Sequence, residues 1–162
     1  MENRVNNNEV FIEETFNASA EKVFSAWTDP DKLMKWYAPE GCTIFFKKLD
    51  IAPGGQFHSC IRNPQYGDCW AIGEYKEILP HTKIVFTLVN ADENGQPINP
   101  VDVGMDADWP GATLVTVTFT TEDGKTKLQL HQTVSQELAK KTGAYPSWLQ
   151  MLDKMRTLLH QN

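Results

Sequence analysis

The sequence predicts an α+β fold in which an antiparallel sheet of about seven strands is covered on one face by a long C-terminal helix. The middle of the chain predicts the sheet, because runs that alternate apolar and polar residues are separated by Gly, Pro and Asp-Gly turns. The end of the chain predicts the helix, because Leu149, Leu152 and Met155 belong to an apolar stripe at helical spacing. No other predicted element is large enough to cover the sheet.

One strand and two short helices begin the fold. The alternating run EVFIEETF predicts a strand over Glu9–Phe16. Ser19 then offers an N-cap oxygen for a helix over residues 20–27. The following Asp-Pro pair starts a second helix over about residues 30–37, because aspartate caps a helix and proline is tolerated in its first turn. We expect these two helices to close one end of the sheet.

The string SAWTDPDKLMKWYAPEG, which runs through both helices, is unusually rich in large aromatic residues. These rings could cover the core, or they could form the lid of a cavity between the sheet and the long helix. Trp27 lies on the first helix and is expected to pack in the core. Trp36 and Tyr37 lie at the end of the second helix, and we predict that they stand at the cavity entrance and contact a ligand.

Six further strands are predicted from alternating runs, which read TIFFKKLDI, QFHSCIR, CWAIGEYKEIL, KIVFTLVN, TLVTVTFTTE and TKLQLHQTV. The Asp123-Gly124 pair between the last two runs predicts a hairpin with a type I′ turn. An irregular acidic loop over residues 90–110 precedes that hairpin, and loops of this length are often functional. In one interpretation Trp109 pins this loop to the sheet edge or the cavity mouth. In the other, the loop gates a pocket or meets a partner.

Composition and charge argue against several classes of protein. The net charge of −6 disfavours nucleic-acid binding, which needs basic groups to neutralise phosphates. The three cysteines form no CxxC pair, so no disulfide framework is expected. The chain shows neither a secretory signal nor a long apolar run, and we expect a cytoplasmic protein without membrane contact. Its length of 162 residues predicts one domain over residues 1–162, with the core at about residues 9–160.

Several segments together resemble a known family. They are VFSAWTDPDKLMKWYAP, DIAPGGQF, GEYKEILP before KIVFT, DWPGATLVTVTF, GKTKL and SWLQMLDKM, and they occur in the family's order over nearly the whole chain. The sequence is similar to the START-like, or SRPBCC, superfamily. Within this superfamily, the chain resembles the family formed by the C-terminal domain of the Aha-type activator of the heat-shock chaperone ATPase and its homologues.

The resemblance implies the helix-grip fold, a curved antiparallel sheet around a C-terminal helix with a cavity between them. The superfamily includes lipid carriers, polyketide cyclases, antibiotic-resistance proteins and oxygenase subunits, so the fold does not fix the function. In the chaperone activators this domain contacts the chaperone. Bacterial chains that consist of this domain mostly have no established role.

Strand alternation indicates which residues could line a cavity in such a fold. Phe57, Ser59 and Ile61 share one face of the third strand, and Val117 and Phe119 face Leu130 and Gln132 on the last two strands. The full predicted lining is mostly apolar with a few polar groups, as small-molecule pockets are, although a filled core would show the same pattern. It consists of Trp36, Tyr37, Phe57, Ser59, Ile61, Trp70, Phe86, Trp109, Val117, Phe119, Leu130, Gln132, Trp148, Met151 and Met155.

A metal site and a catalytic site are both weakly supported. His58, Cys60 and Cys69 carry metal-binding atoms, but three ligands do not complete a tetrahedral set and their spacing matches no common zinc motif. The chain lacks GxSxG, HExxH, P-loop and GxGxxG motifs, and alternation places His131 towards solvent. We therefore expect no metal, no cofactor and no catalytic residue.

Three functions remain open from the sequence. The first is a helix-grip protein that binds a small hydrophobic or aromatic ligand. The second is a protein-interaction module like the chaperone activators, acting through an exposed face that includes the acidic loop. The third is a cyclase or another enzyme whose chemistry depends on the cavity. A monomer or a homodimer fits each of them.

Overall fold

The computed structural model describes residues 8–65, 67–103 and 105–160. Residues 1–7, where the sequence predicts no secretory signal, lie outside this description, as do Tyr66, Gly104 and residues 161–162. The strands are β1 (Glu9–Phe16), β2 (Thr43–Leu49), β3 (Gln56–Asn63), β4 (Gly67–Leu79), β5 (Lys83–Ala91), β6 (Ala112–Glu122) and β7 (Lys125–Ser135). Together the described strands form one sheet in the order β1-β7-β6-β5-β4-β3-β2, and every neighbouring pair is antiparallel.

The described helices are α1 (Ala20–Thr28), α2 (Pro30–Trp36), α3 (Gln136–Thr142) and α4 (Ala144–Leu159), with a short 3-10 helix at Pro100–Val103. The predicted fold class is confirmed: a curved seven-stranded antiparallel sheet, two short helices after the first strand, and a long C-terminal helix. Irregular register in β2 and β4 contributes to the curvature, because a bulge bends the strand that carries it. None of the helices among the described residues has the length and apolar character needed to cross a membrane.

The caps that the sequence predicts hold the first two helices. Ser19 accepts a hydrogen bond from the backbone N–H of Lys22 at 3.2 Å, and Asp29 accepts one from that of Asp31 at 2.9 Å. Helix α3 was missed by the sequence analysis, because its string QELAKKT buries only Ala139 and therefore shows no apolar stripe. The local chemistry still specifies it, since the Ser135 hydroxyl caps the start.

The core lies between the concave face of the sheet and α4. Val117 pairs with Leu130 and Phe119 with Leu128 across the hairpin of β6 and β7, and all four side chains are buried. The buried face of α4 consists of Trp148, Met151, Leu152 and Met155, as the apolar stripe predicted. The hairpin turn has the two positive φ angles that a type I′ turn needs, 52° at Asp123 and 79° at Gly124.

Candidate ligand cavity

A cavity of about 200 Å³ lies between the concave face of the sheet, the start of α4 and the loop before β6. Its lining comes from all of these elements and from the residue that follows α2. The lining residues are Tyr37, Ser59, Ile61, Cys69, Ala71, Leu88, Asn90, Met105, Trp109, Thr113, Gln132, Ala144, Ser147, Trp148 and Met151.

The alternation of β3 and β4 decides which of their side chains face this cavity. Ser59 lies directly opposite Ala71 and Ile61 opposite Cys69, and residues that pair directly across strands share a face of the sheet. The small side chains of Ser59 and Ala71 leave volume at this point, whereas larger side chains at these two positions would fill it. The cavity is therefore present because two small residues face each other across β3 and β4.

One wall of the cavity is a fixed polar chain. The Trp148 indole Nε1 donates to Oε1 of Gln132 at 2.9 Å, and Nε2 of Gln132 donates to the Thr113 hydroxyl at 3.0 Å. The Thr113 hydroxyl in turn donates to the backbone carbonyl of Leu88 at 3.5 Å. Gln132 is only 2% exposed, and these bonds provide its side-chain amide with hydrogen-bond partners inside the core. They also join α4 to the sheet.

Two other polar groups in the lining have no such partners. The hydroxyls of Ser59 and Tyr37 form no hydrogen bond with any described residue, although their side chains are only 3% and 8% exposed. Burial raises the pKa of Tyr37, and the nearby Tyr75 raises it further, so this phenol stays neutral at physiological pH. A hydroxyl can both donate and accept, and these two groups are therefore available to a polar atom inside the cavity.

A second, smaller void of about 20 Å³ lies beneath Tyr37. It is lined by Trp27, Leu33, Tyr37, Phe46, Phe57, Tyr75, Ile84 and Phe86. The buried indole Nε1 of Trp27 has no hydrogen-bond partner among the described residues. A void of this size is large enough for one water molecule, which could accept that hydrogen bond.

A groove of about 710 Å³ adjoins the cavity. Both spaces are lined by Ile61, Cys69, Asn90, Met105, Ser147 and Met151, so these residues lie at the boundary between the cavity and the groove. Three acidic residues, Asp68, Asp92 and Glu93, line the outer part of the groove.

The acidic loop beside this opening is anchored at several points. Asp106 forms an ion pair of 3.2 Å with Lys141 on α3, and Nε2 of His58 lies 3.0 Å from the backbone oxygen of Asp92. Trp109 is partly buried, packs against the core and lines the cavity. Its position agrees with the interpretation in which this tryptophan pins the loop at the cavity mouth.

The structure distributes the fifteen residues of the predicted lining over four places. Tyr37, Ser59, Ile61, Trp109, Gln132, Trp148 and Met151 line the cavity, and Phe57 and Phe86 line the small void. Trp70 lines the outer groove and lies on the opposite face of the sheet from Ala71, where its ring contacts those of Phe45 and His58. The remaining five lie in the buried core and line none of these three spaces: Trp36, Val117, Phe119, Leu130 and Met155.

Trp36 and Tyr37 are adjacent in the sequence but occupy different environments. Trp36 has no exposed surface, packs edge-on against Trp27 at 4.7 Å between ring centroids, and donates to the backbone carbonyl of Ala26 at 2.9 Å. Tyr37 follows the last turn of α2 and lines both the cavity and the void. A ligand in the cavity would therefore meet Tyr37 directly.

Sequence reasoning missed eight residues of the lining, which are Cys69, Ala71, Leu88, Asn90, Met105, Thr113, Ala144 and Ser147. Cys69 and Ala71 could have been found by pairing β4 against the inward residues of β3. The position of Met105 could not have been found in this way, because it depends on how the acidic loop folds back over the cavity mouth.

The residues considered for metal binding do not come together. His58 and Cys60 lie on the outer face of β3, whereas Cys69 faces the cavity. Within the part of the chain that the structure describes, no group of three or more His, Cys, Asp or Glu side chains could hold a metal ion. His131 lies away from the cavity, half-buried, with its Nε2 at 2.8 Å from the Glu9 carboxylate.

Comparison with known proteins identifies the family. The family model for "Activator of Hsp90 ATPase homolog 1-like protein" matches residues 17–160, which is most of the chain. The chain belongs to this family. Its resemblance to the activator homologues is thereby confirmed, and the matched residues 17–160 include every residue that lines the cavity. No curated protein matches the chain.

Solved structures of similar proteins share the fold of this family member. A crystal structure from Chromobacterium violaceum is 22% identical, covers 96% of this chain and 99% of its own, and superposes with a TM-score of 0.77. A solution structure from Staphylococcus epidermidis is 23% identical over 96% of this chain and 92% of its own, with a TM-score of 0.78. The AHSA1 protein from Silicibacter pomeroyi is 18% identical, covers 93% and 96% of the two chains, and has a TM-score of 0.72.

Proposed function

We propose that this member of the activator homologue family binds a small, mostly apolar molecule that contains an aromatic or aliphatic ring. The observation that carries the proposal is the cavity, whose mostly apolar lining includes the hydroxyl-bearing residues Ser59 and Tyr37, neither of which hydrogen-bonds a described residue through its side chain. A few oriented polar groups in an apolar pocket are typical of sites for small molecules. Those two hydroxyls would fix the orientation of a ligand that carries one hydroxyl, ether or carbonyl oxygen.

The volume limits the size of the ligand. An engineered cavity of roughly 150 Å³ in another protein accommodates benzene, so the cavity of about 200 Å³ suits one substituted ring or two fused rings. A longer substituent would extend past Met105 and Met151, which line both spaces, into the groove. Methionine side chains adapt readily to different shapes, which suits residues at such a passage.

Isothermal titration calorimetry with 2-(1-naphthyl)ethanol tests the proposal. Ala71→Leu fills the cavity from the sheet, and Ser147→Leu fills it from α4, so each should weaken binding at least about tenfold. Ala112→Leu is the matched control, because Ala112 is exposed at the start of β6 and does not line the cavity. Urea unfolding of each variant checks that it folds.

Saturable binding to the parent protein and to Ala112→Leu, together with its loss in the two filled variants, is the expected result. The proposal is wrong if the parent protein does not bind the probe, or if both filled variants bind it as tightly as the parent does.

A further inference from the structure

We infer that this site selects its ligand by charge: it takes a neutral ring inside, favours a cationic group at the mouth and excludes a carboxylate. The inference rests on the proposed function and names the class of ligand. It follows from the distribution of charged side chains between the cavity and the groove.

The interior is uncharged. Among the described residues that line the cavity and the smaller void, none is Asp, Glu, Lys, Arg or His. A carboxylate that entered would lose its hydration without meeting a counter-ion, which is costly in an apolar environment. A neutral hydroxyl or carbonyl would instead find the free hydroxyls of Ser59 and Tyr37.

The mouth carries negative charge. The described charged residues that line the groove are Asp68, Asp92 and Glu93, and all of them are acidic. Asp68 already has a counter-ion, because Nε of Arg62 lies 3.7 Å from its carboxylate. The side chains of Asp92 and Glu93 form no ion pair with a described lysine or arginine and can face a cation.

Two nearby basic side chains are held by other contacts. Lys47 donates from Nζ to the backbone oxygen of Glu93 at 2.7 Å and lies over the Trp70 ring at 5.0 Å, and neither contact involves the carboxylate. His58 likewise bonds the backbone oxygen of Asp92 and not its side chain. Lys47 weakens the negative field at the mouth, so the expected preference for a cation is modest.

The acidic mouth and the cavity are adjacent and share lining residues. Asn90 lines both spaces, and Asp92 follows it by two residues, just after the end of β5, a separation of about 7 Å in an extended chain. A two-carbon linker carries an ammonium group over a comparable distance from a ring. The carboxylate of Asp92 is held in place, since its Oδ1 accepts hydrogen bonds from the backbone N–H groups of Asn94 and Gln96, both at 2.9 Å.

Three probes that share one ring system test the inference: 2-(1-naphthyl)ethylamine, 2-(1-naphthyl)ethanol and the carboxylate 1-naphthaleneacetate. At pH 7 and low salt, titration calorimetry should show that the amine binds about threefold to fivefold more tightly than the alcohol, a difference within the range of exposed ion pairs. The carboxylate should bind at least about tenfold more weakly than the alcohol. The preference for the amine should fade at about 0.5 M salt, because salt screens exposed charges.

The double variant Asp92→Asn/Glu93→Gln should remove the preference for the amine and leave the affinity for the alcohol unchanged. Asparagine keeps the oxygen that accepts the two backbone bonds. The control Glu21→Gln/Glu137→Gln changes the net charge equally at two exposed helix starts outside the site, and should keep the preference.

Equal affinities for the amine and the alcohol in the parent protein would overturn the inference, and so would tight binding of the carboxylate. The proposed function would survive either result as long as the alcohol binds and Ala71→Leu abolishes its binding. Absence of binding by all three probes would overturn both.

Discussion

The indole Nε1 of Trp148 donates a 2.9 Å hydrogen bond to the side-chain Oε1 of Gln132, so that a buried bond joins α4 to β7 at the wall of the cavity. The side-chain Nε2 of Gln132 in turn donates to the Thr113 hydroxyl, so this one glutamine on β7 connects α4 with β6. The cavity keeps its shape because this wall cannot move without leaving buried polar atoms unpaired.

Gln132→Leu should therefore destabilise the fold although leucine is apolar. The substitution leaves the Trp148 indole N–H buried without a partner, and this should lower the free energy of unfolding by about 1–3 kcal/mol. Urea denaturation measures the change. The double variant Gln132→Leu/Trp148→Phe should lose less stability than the sum of the two single losses. Strict additivity would show that the bond contributes nothing.

Leu152→Ala tests the phase of α4. Leu152 has no exposed surface and belongs to the core, so the substitution should cost about 2–5 kcal/mol in urea unfolding. Leu149→Ala is the control on the same helix, because Leu149 is only partly buried and should cost less. Equal costs at the two positions would mean that the buried face is assigned incorrectly.

The two buried tyrosines predict a loss of stability at high pH. Burial raises the pKa of Tyr37 and of Tyr75, so above about pH 10 the unfolded chain loses phenol protons that the native protein keeps. Unfolding then releases protons, and rising pH lowers the free energy of unfolding by up to about 1.4 kcal/mol per pH unit for each tyrosine.

Unfolding of Tyr37→Phe and Tyr75→Phe between pH 9 and pH 11 checks this prediction. Each variant should show a flatter decline than the parent protein, and the double variant should be the flattest. An unchanged decline in the double variant would refute the assignment of the effect to these two phenols.

The cysteines should differ in reactivity. Burial raises the pKa of both the Cys60 and the Cys69 thiol, so their accessibility decides the difference. Cys60 has no exposed surface, whereas Cys69 is exposed at the cavity mouth. Under native conditions a thiol reagent should modify Cys69 and spare Cys60, as peptide mass spectrometry after digestion would show. Because Cys69 also lines the cavity, 2-(1-naphthyl)ethanol should slow its modification. Modification of Cys60 at the rate of Cys69 would contradict the buried position.

The sequence predicts the elements well and the cavity only in part. Helix caps at Ser19 and Asp29, the type I′ turn and the buried stripe of α4 each depend on a few neighbouring residues, so local patterns were sufficient. Alternation also predicted that Ser59 and Ile61 share a face, and both line the cavity.

The remainder depends on contacts between distant segments. The side of the sheet that Trp70 occupies follows from its pairing with Cys60 in β3, which alternation within β4 cannot supply. The burial of Trp36 follows from the packing of α2 on α1, where its indole bonds the Ala26 carbonyl. The cavity itself is the space left over by all of these contacts, and no single segment encodes it.

Chemical-shift mapping tests the central claim most directly. In two-dimensional amide and indole NMR spectra, titration with 2-(1-naphthyl)ethanol should shift the backbone amides of Ser59 and Ala71 and the indole N–H of Trp148, all of which belong to the cavity wall. The amide signals of Glu21 and Glu137, two exposed residues that do not line the cavity, should stay in place. Saturable shifts confined to the cavity are the predicted result, whereas shifts limited to the outer surface, or no shifts up to the solubility of the probe, would contradict the account.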